Sequence, residues 1–386
     1  MGHARSPAAA HLPCRYNGGM RRREFLGAAA ALPAWQSGAA QTARPESTSA
    51  GKVRLGYDAY SIRDLHWQAL QHIDYAVSLQ LDAVQLSIPG DFESLEPEHL
   101  RKVRDYAARK GIELSVGAGC ICPTTPAWNP VNGSPEQYLA RNASVVNELG
   151  LKFFRVFIGA PTDRHAKVPI EAHIESTLKG LRGARARLMD RGLKVAIENH
   201  GDLTARELRQ LIEAAGADLV GVNYDSGNPM WVMEDPALTL EVLAPYVETS
   251  HFRDSALFEH PRGAAFQRVA MGDGSVNLPD VVDLYRRLCP GKSILLEIIT
   301  GRPPQMLPYL EDTWWNGFRK LPAPDFARFL ALVKKGRPYL GPMVIGGPGE
   351  KDEAIVAALR EQQRLDLERS LKHCRETLKL GVHAAS

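Results

Sequence analysis

The sequence predicts an α/β protein, a (β/α)8 TIM barrel with a C-terminal helical extension. Three observations carry this. Eight short apolar runs of strand character alternate with helical segments between Val53 and about Thr300. That span matches the usual length of such a barrel, about 250 residues. No glycine-rich G-x-G-x-x-G turn follows any strand, as an open doubly wound sheet would require. The chain of 386 residues, 44% hydrophobic and 24% charged, has ample material for a large core.

The elements follow in order. VRLGYDAYS reads as a strand and Trp67 to Leu79 as an amphipathic helix. DAVQLSI is a strand, and Pro97 to Lys110 a helix with acidic residues at its positive end. IELSVGA precedes a helix over Pro135 to Leu149; KFFRVFIGA precedes one over Glu171 to Arg191. LKVAIEN is followed by Thr204 and Glu207, a capping box ahead of Leu208, Leu211 and Ile212. DLVGVNYD leads to a helix over Pro236 to Leu243, VETSHF to one over Leu278 to Leu288, and SILLEII is the eighth strand. These strands are apolar runs rather than alternations, which suits parallel strands covered by helices.

The flanks differ. From Met20 the chain reads MRRREFLGAAAALPAW, a basic start and an apolar stretch, followed by small residues, Ser37 to Ala40. Arg22 and Arg23 before Phe25 and Leu26 resemble a twin-arginine export signal. Residues 1–40 are therefore expected to be a leader read by the twin-arginine machinery, placing the protein in the periplasm or outside the cell. Residues 41–52 read as a linker, 53–305 as the barrel and 306–386 as C-terminal loops and helices. Within the last segment a short helix is expected around Phe326 to Lys335. A long charged one is expected over Lys351 to Leu380, with Ile355, Ala358, Leu359, Leu365, Leu371 and Leu378 as its apolar positions. An amphipathic stripe cannot name its partner, so this helix either packs on its own barrel or clasps a second subunit in a homodimer.

Bulk properties exclude some classes. A net charge of +3 without a basic stripe gives no electrostatic case for nucleic acid. No apolar run is long enough for a stable membrane anchor. Cys14, Cys120, Cys122, Cys289 and Cys374 are odd in number and irregular in spacing, so they read as ordinary thiols.

Four residues occupy equivalent places at strand ends: Glu198 in VAIEN, Asp225 in VNYDSGN, His251 in ETSHF and Glu297 in LLEII. The carboxyl ends of barrel strands meet on one face, so topology makes these distant residues neighbours. Each alone reads more simply as a salt-bridge partner, a turn former or a structural histidine. Three converging carboxylates would repel one another, and a cation resolves that. Oxygen-rich ligation with one imidazole favours one Mn²⁺ ion, with Mg²⁺ or Co²⁺ as alternatives. Open coordination positions would let a small carbohydrate present a carbonyl and a hydroxyl. The metal would polarise the carbonyl and Glu198 and Glu297 would move the proton on the next carbon.

The order Glu, Asp, His, Glu at the ends of strands five to eight resembles the xylose isomerase-like superfamily, over roughly Val53 to Arg302. That group contains sugar isomerases, ketose epimerases and lyases. The resemblance to its ketose 3-epimerases implies that the two glutamates serve as both ligands and acid/base pair. Those epimerases carry a histidine three residues after the ligand aspartate, where this chain has Asn228. GCICPT, IENHGD, DSGN, HFRD and EIITGRPP look more like the branch containing 3-oxoisoapionate decarboxylase. Isomerase or epimerase chemistry is thus the first expectation, and decarboxylation of a 3-oxo sugar acid the second.

Substrate contacts are expected from placement. His200 could meet a sugar hydroxyl or simply turn a loop. Arg253 could hold a carboxylate or hydroxyl, or pair with Asp254 at the surface. Arg302 could bind an acidic group or decorate a Pro-rich loop. Tyr57 and Asp58 end the first strand and are expected to point into the mouth. Trp231, Trp314 and Trp315 could wall a sugar face or anchor packing. A multi-zinc DNA-repair phosphodiesterase on the same barrel would need more histidines and a basic face. A silent carbohydrate-binding protein would have no use for the quartet. A nucleophilic hydrolase lacks its G-x-S-x-G elbow.

Overall fold

The computed structural model describes residues 52–346 and 349–383. The expected leader, Cys14 and the linker up to residue 51 lie outside the described residues.

Seven strands pair in parallel in chain order: β1 (Leu55–Asp58), β2 (Ala83–Ser87), β3 (Glu113–Cys120), β4 (Phe153–Phe157), β5 (Lys194–Glu198), β6 (Val220–Asp225) and β7 (Val247–His251). The next two, β8 (Asp254–His260) and β9 (Gly263–Val269), form an antiparallel hairpin outside the barrel. β10 (Ile294–Leu296) returns to the barrel and pairs with β1. β11 (Gln305–Leu307) then joins β9 to complete a small sheet, β11-β9-β8. The seam between β7 and β10 rests on Phe252. Its N–H donates to Leu295 O at 2.7 Å, and its carbonyl accepts from Glu297 N at 3.1 Å. The result is a nearly closed eight-stranded TIM barrel, as the alternation predicted. The hairpin is new: it fills the stretch between β7 and the helix expected over Leu278 to Leu288, which the sequence reading left without structure.

Helices α1 (Ala69–Ser78), α2 (Pro97–Lys110), α3 (Pro135–Glu148), α4 (Ile170–Met189), α5 (Ala205–Ala215), α6 (Pro236–Leu243) and α7 (Leu278–Leu288) alternate with the strands. Their starts are chemically specified. Thr204 accepts from Glu207 N, and Glu207 returns the bond to Thr204 N, so the expected capping box on α5 is present. Ser134 and Gln137 do the same for α3. Gly56 on β1 has no alternative, since a Cβ there would sit 2.1 Å from Ala83 O on β2.

The C-terminal segment supplies α8 (Ala323–Lys335) and α9 (Glu353–Glu376). α8 lies at the mouth, tied to the starts of α5 and α6 by Arg206–Asp325 and Arg328–Asp235 ion pairs. α9 runs down the outside of the barrel between α1 and α7. Gln363 Nε2 donates to Asp64 Oδ2 at 2.7 Å, and Tyr75 on α1 donates to Glu368 at 2.9 Å. Arg286 on α7 donates to Leu378 O, while Gly381 N reaches Val53 O at 2.9 Å. α9 therefore takes the place of the eighth barrel helix. Its buried face runs Leu359, Gln363, Leu367, Ser370, Leu371 and Cys374, whereas Leu365 of the expected stripe faces outward. Among the described residues no helix is long and apolar enough to cross a membrane.

Candidate metal centre and active site

Glu198 closes β5, Asp225 closes β6, His251 closes β7 and Glu297 immediately follows β10. The barrel brings all four to its carboxyl rim, buried, with one ligand atom from each within 4.8 Å of the others. His251 Nδ1 faces Glu198 Oε2 and Glu297 Oε2, each at 3.5 Å, and Asp225 Oδ2 at 4.0 Å. His251 Nδ1 is inaccessible to solvent and makes no hydrogen bond, while Glu297 Oε2 is met by the Arg253 guanidinium. A buried polar atom without a partner is costly, and an imidazole nitrogen facing three carboxylates is what a cation would satisfy. The donor set therefore fits a divalent ion.

The far side of the imidazole is equally determined. His251 Nε2 lies against the Gln85 amide and 3.4 Å from Asp58 Oδ2, while Gln85 Nε2 donates to Asp58 at 2.6 Å. A carboxylate behind the ring fixes the tautomer that leaves Nδ1 free to ligate. Burial alone would depress the His251 pKa, but the Glu297 and Glu198 carboxylates raise it to about 10. The two glutamates diverge. Burial raises both, yet Arg155 and His251 bring Glu198 well below the usual carboxylate range, while Glu297 stays raised despite Arg253 and His251.

Glu297 of the quartet lines a cavity of about 480 Å³ at the mouth, together with Asp58 and Arg253. His200 lines it, with Nδ1 held 2.7 Å from Gly159 O and the ring against Phe157. Asn228 donates to Glu198 Oε1 at 2.9 Å, so it steadies a quartet member from the place where epimerases carry histidine. Arg253 is buried, not a surface partner of Asp254. Its Nε donates to Asp225 at 2.8 Å, and its Nη2 contacts Asp225 and Glu297. Arg302 lines the cavity, as does Trp231.

Two placements correct the sequence reading. Tyr57 points away from the mouth: its hydroxyl bonds His72 in α1 and its ring packs edge-on to Tyr75. Side chains alternate across a strand, so with Asp58 turned inward Tyr57 faces the helices. Asp254 turns into the loop after β9, accepting from Ser255, Gly272 and Gly274 N–H groups at 2.8–3.0 Å. Trp314 and Trp315 are packing anchors, the first against His165 and the second donating to Tyr309 O. A larger hollow of about 550 Å³ around Trp314 lies apart from the quartet. Its buried Arg164 is engaged by Glu207, Asp202 O and Gly317 O.

Gln85, Arg155 and Arg268 were missed. Each is a polar residue within an otherwise apolar strand (AVQLS, FFRVF, GAAFQRV), and that mismatch is the signal that marks them.

An eight-stranded parallel barrel with a buried carboxylate–histidine quartet on its carboxyl rim defines a class of TIM-barrel proteins equipped to hold a metal. The chain belongs to the xylose isomerase-like TIM barrel family, whose description matches residues 73–313. It is 21% identical over 229 residues to the 3-oxo-isoapionate decarboxylase of Pectobacterium atrosepticum, covering 58% of this chain and 75% of that protein. Among solved structures, a D-psicose 3-epimerase studied with D-fructose superposes with a TM-score of 0.53 at 17% identity, over 84% of this chain and 99% of that one. A xylose isomerase domain protein from Planctomyces limnophilus gives 0.50 at 18% identity, over 73% and 96%.

Proposed function

We propose that this protein is a divalent-metal-dependent enzyme that moves a proton next to the carbonyl of a small carbohydrate, with Mn²⁺ as its preferred ion. The observation that carries this reading is the orphaned His251 Nδ1, which faces three carboxylates within a four-ligand cluster beside the cavity. Three carboxylates and one imidazole favour Mn²⁺ or Mg²⁺ over softer ions. When bound, the ion supplies Lewis-acid polarisation of a carbonyl.

The chain's own residues supply the rest. Glu198 and Glu297 come from non-adjacent strands and flank the substrate carbon. One carboxylate takes the proton, the C–H bonding pair becomes the C=C bond of an enediol(ate), and the carbonyl oxygen takes the charge. Proton return to the neighbouring carbon isomerises the sugar, and return to the opposite face of the same carbon epimerises it. Arg155 and Asn228 hold Glu198 in place, and His200 stands where it can meet a hydroxyl.

A second reading is decarboxylation of a 3-oxo sugar acid, favoured by Asn228 in place of the epimerase histidine and by the likeness to the decarboxylase. Loss of CO₂ from a β-keto acid leaves the same kind of enolate, which then takes a proton.

The test is mass spectrometry of the Mn²⁺-loaded protein in D₂O against ketoses, 3-keto sugars and 3-oxo sugar acids, with an EDTA-treated control. Metal-dependent deuterium uptake without other mass change is the expected result; metal-dependent loss of CO₂ moves the assignment to the second reading. Bound metal with no turnover of any compound overturns both for these substrates.

A further inference from the structure

Charge around the cavity is unevenly matched. Four carboxylates, Asp58 and Glu297 in its wall and Glu198 and Asp225 in the adjoining quartet, stand with four guanidiniums of its wall, Arg155, Arg253, Arg268 and Arg302. Arg155 bonds Glu198, and Arg253 bonds Asp225 and Glu297. Arg268 and Arg302 stand apart. Arg268 Nε is inaccessible and unpartnered, and its Nη2 donates to Asn228 Oδ1 at 3.5 Å. Its guanidinium lies 5.9 Å over the Trp231 ring, so its position is set by packing. Burial, and Arg253 beside it, bring its pKa down to about 10, which leaves it charged at neutral pH. Among the described residues no side chain pairs with the Arg302 guanidinium.

The ledger of charge then points one way. Carboxylates and guanidiniums balance in number, and an imidazole that ligates a metal is neutral. A divalent ion on the quartet leaves the cavity with an excess of two positive charges. A neutral sugar would leave two guanidiniums desolvated without a counter-charge, which is costly in a half-buried site.

We infer that the substrate is a sugar derivative bearing an anionic oxyacid group, a carboxylate or a phosphate, held by Arg268 on β9 and Arg302 after β10 while its carbonyl end faces the quartet. Planar guanidinium forks suit either oxyacid. The inference rests on the metal-dependent reading above. It adds a role for the β8–β9 hairpin, which carries Arg268 to a barrel mouth that the eight strands alone would leave without it.

The experiment is calorimetric titration of the Mn²⁺-loaded full chain with D-gluconate, D-glucose 6-phosphate and D-glucitol. At least one anion should bind about tenfold tighter than glucitol; whichever ranks first names the oxyacid. Arg268→Gln and Arg302→Gln should each remove most of that preference, with Arg268→Lys keeping part of it, while Mn²⁺ affinity stays within about twofold. Should Arg268→Gln fail to fold, Arg302→Gln decides alone. The inference is overturned if neither anion beats glucitol, or if the preference survives both substitutions, since the anion then sits on the metal. Mn²⁺ titration of the same samples reads the quartet separately, so a protein that binds Mn²⁺ but prefers no anion sinks this inference alone.

Discussion

Carboxylates are buried at both ends of this barrel, and the two ends treat them differently. At the floor, Asp82 accepts from three backbone N–H groups: Leu55 at 2.8 Å, Val382 at 2.9 Å and His383 at 3.0 Å. It is saturated by the chain itself and ties the segment after α9 to β1. At the mouth, Glu297 Oε2 faces an unpartnered imidazole nitrogen, and the surrounding charges are side chains. Burial is shared; the kind of partner is not. A carboxylate met by backbone donors holds structure together, whereas one gathered with two others around an unpartnered imidazole nitrogen is arranged for something the chain does not contain.

Substitutions at the mouth should sharpen that contrast most. Glu198→Gln, Asp225→Asn and His251→Ala are each expected to weaken Mn²⁺ binding by about 100-fold or more. Metal titration with paired thermal melts checks this, and full retention of metal by all three would dismantle the site. The floor should respond in the opposite sense. Asp82→Ala orphans three N–H groups and is expected to cost about 2–4 kcal/mol in chemical unfolding while leaving Mn²⁺ affinity intact.

An intermediate case sits at the start of α5. Glu234 is buried, accepts from Ala205 N with both oxygens and from the Thr239 hydroxyl, and burial raises its pKa to about 7. In the unfolded chain it titrates near 4.5. The fold thus holds its proton more tightly. The contribution is complete below about pH 4.5 and is lost as pH rises through 7, on the order of 3 kcal/mol. Glu234→Gln should flatten the decline in stability between pH 5 and 7.5, as followed by urea unfolding at each pH; an unchanged slope would show that other groups set it. The smallest effect is expected behind the imidazole, where Asp58→Asn should weaken Mn²⁺ about tenfold without altering the ligands themselves.

Much of this was legible in the sequence. The eight strands and the Glu198, Asp225, His251, Glu297 order needed only apolar runs and spacing. The hairpin was not, because ALFEH and GAAFQRV are short and meet at an ordinary Pro-Arg-Gly turn, so nothing local distinguishes them from a long loop. Tyr57 was misplaced for want of the alternation that puts Asp58 inside. Arg155 and Arg268 escaped because a lone arginine in a strand has meaning only once its neighbours across the barrel are known. The partner of α9 was undecidable from its stripe, and the groove between α1 and α7 supplied it.

That groove has a consequence for how the protein is made. The slot beside β1, the first strand to leave the ribosome, is filled by a helix that ends at residue 376. Once the seventh helix has been made, and until the last one follows, the strip between the first and seventh helices has no cover. Completion of the outer layer therefore waits for the last helix, and a ribosome stalled a few dozen codons early would leave a barrel open along one side.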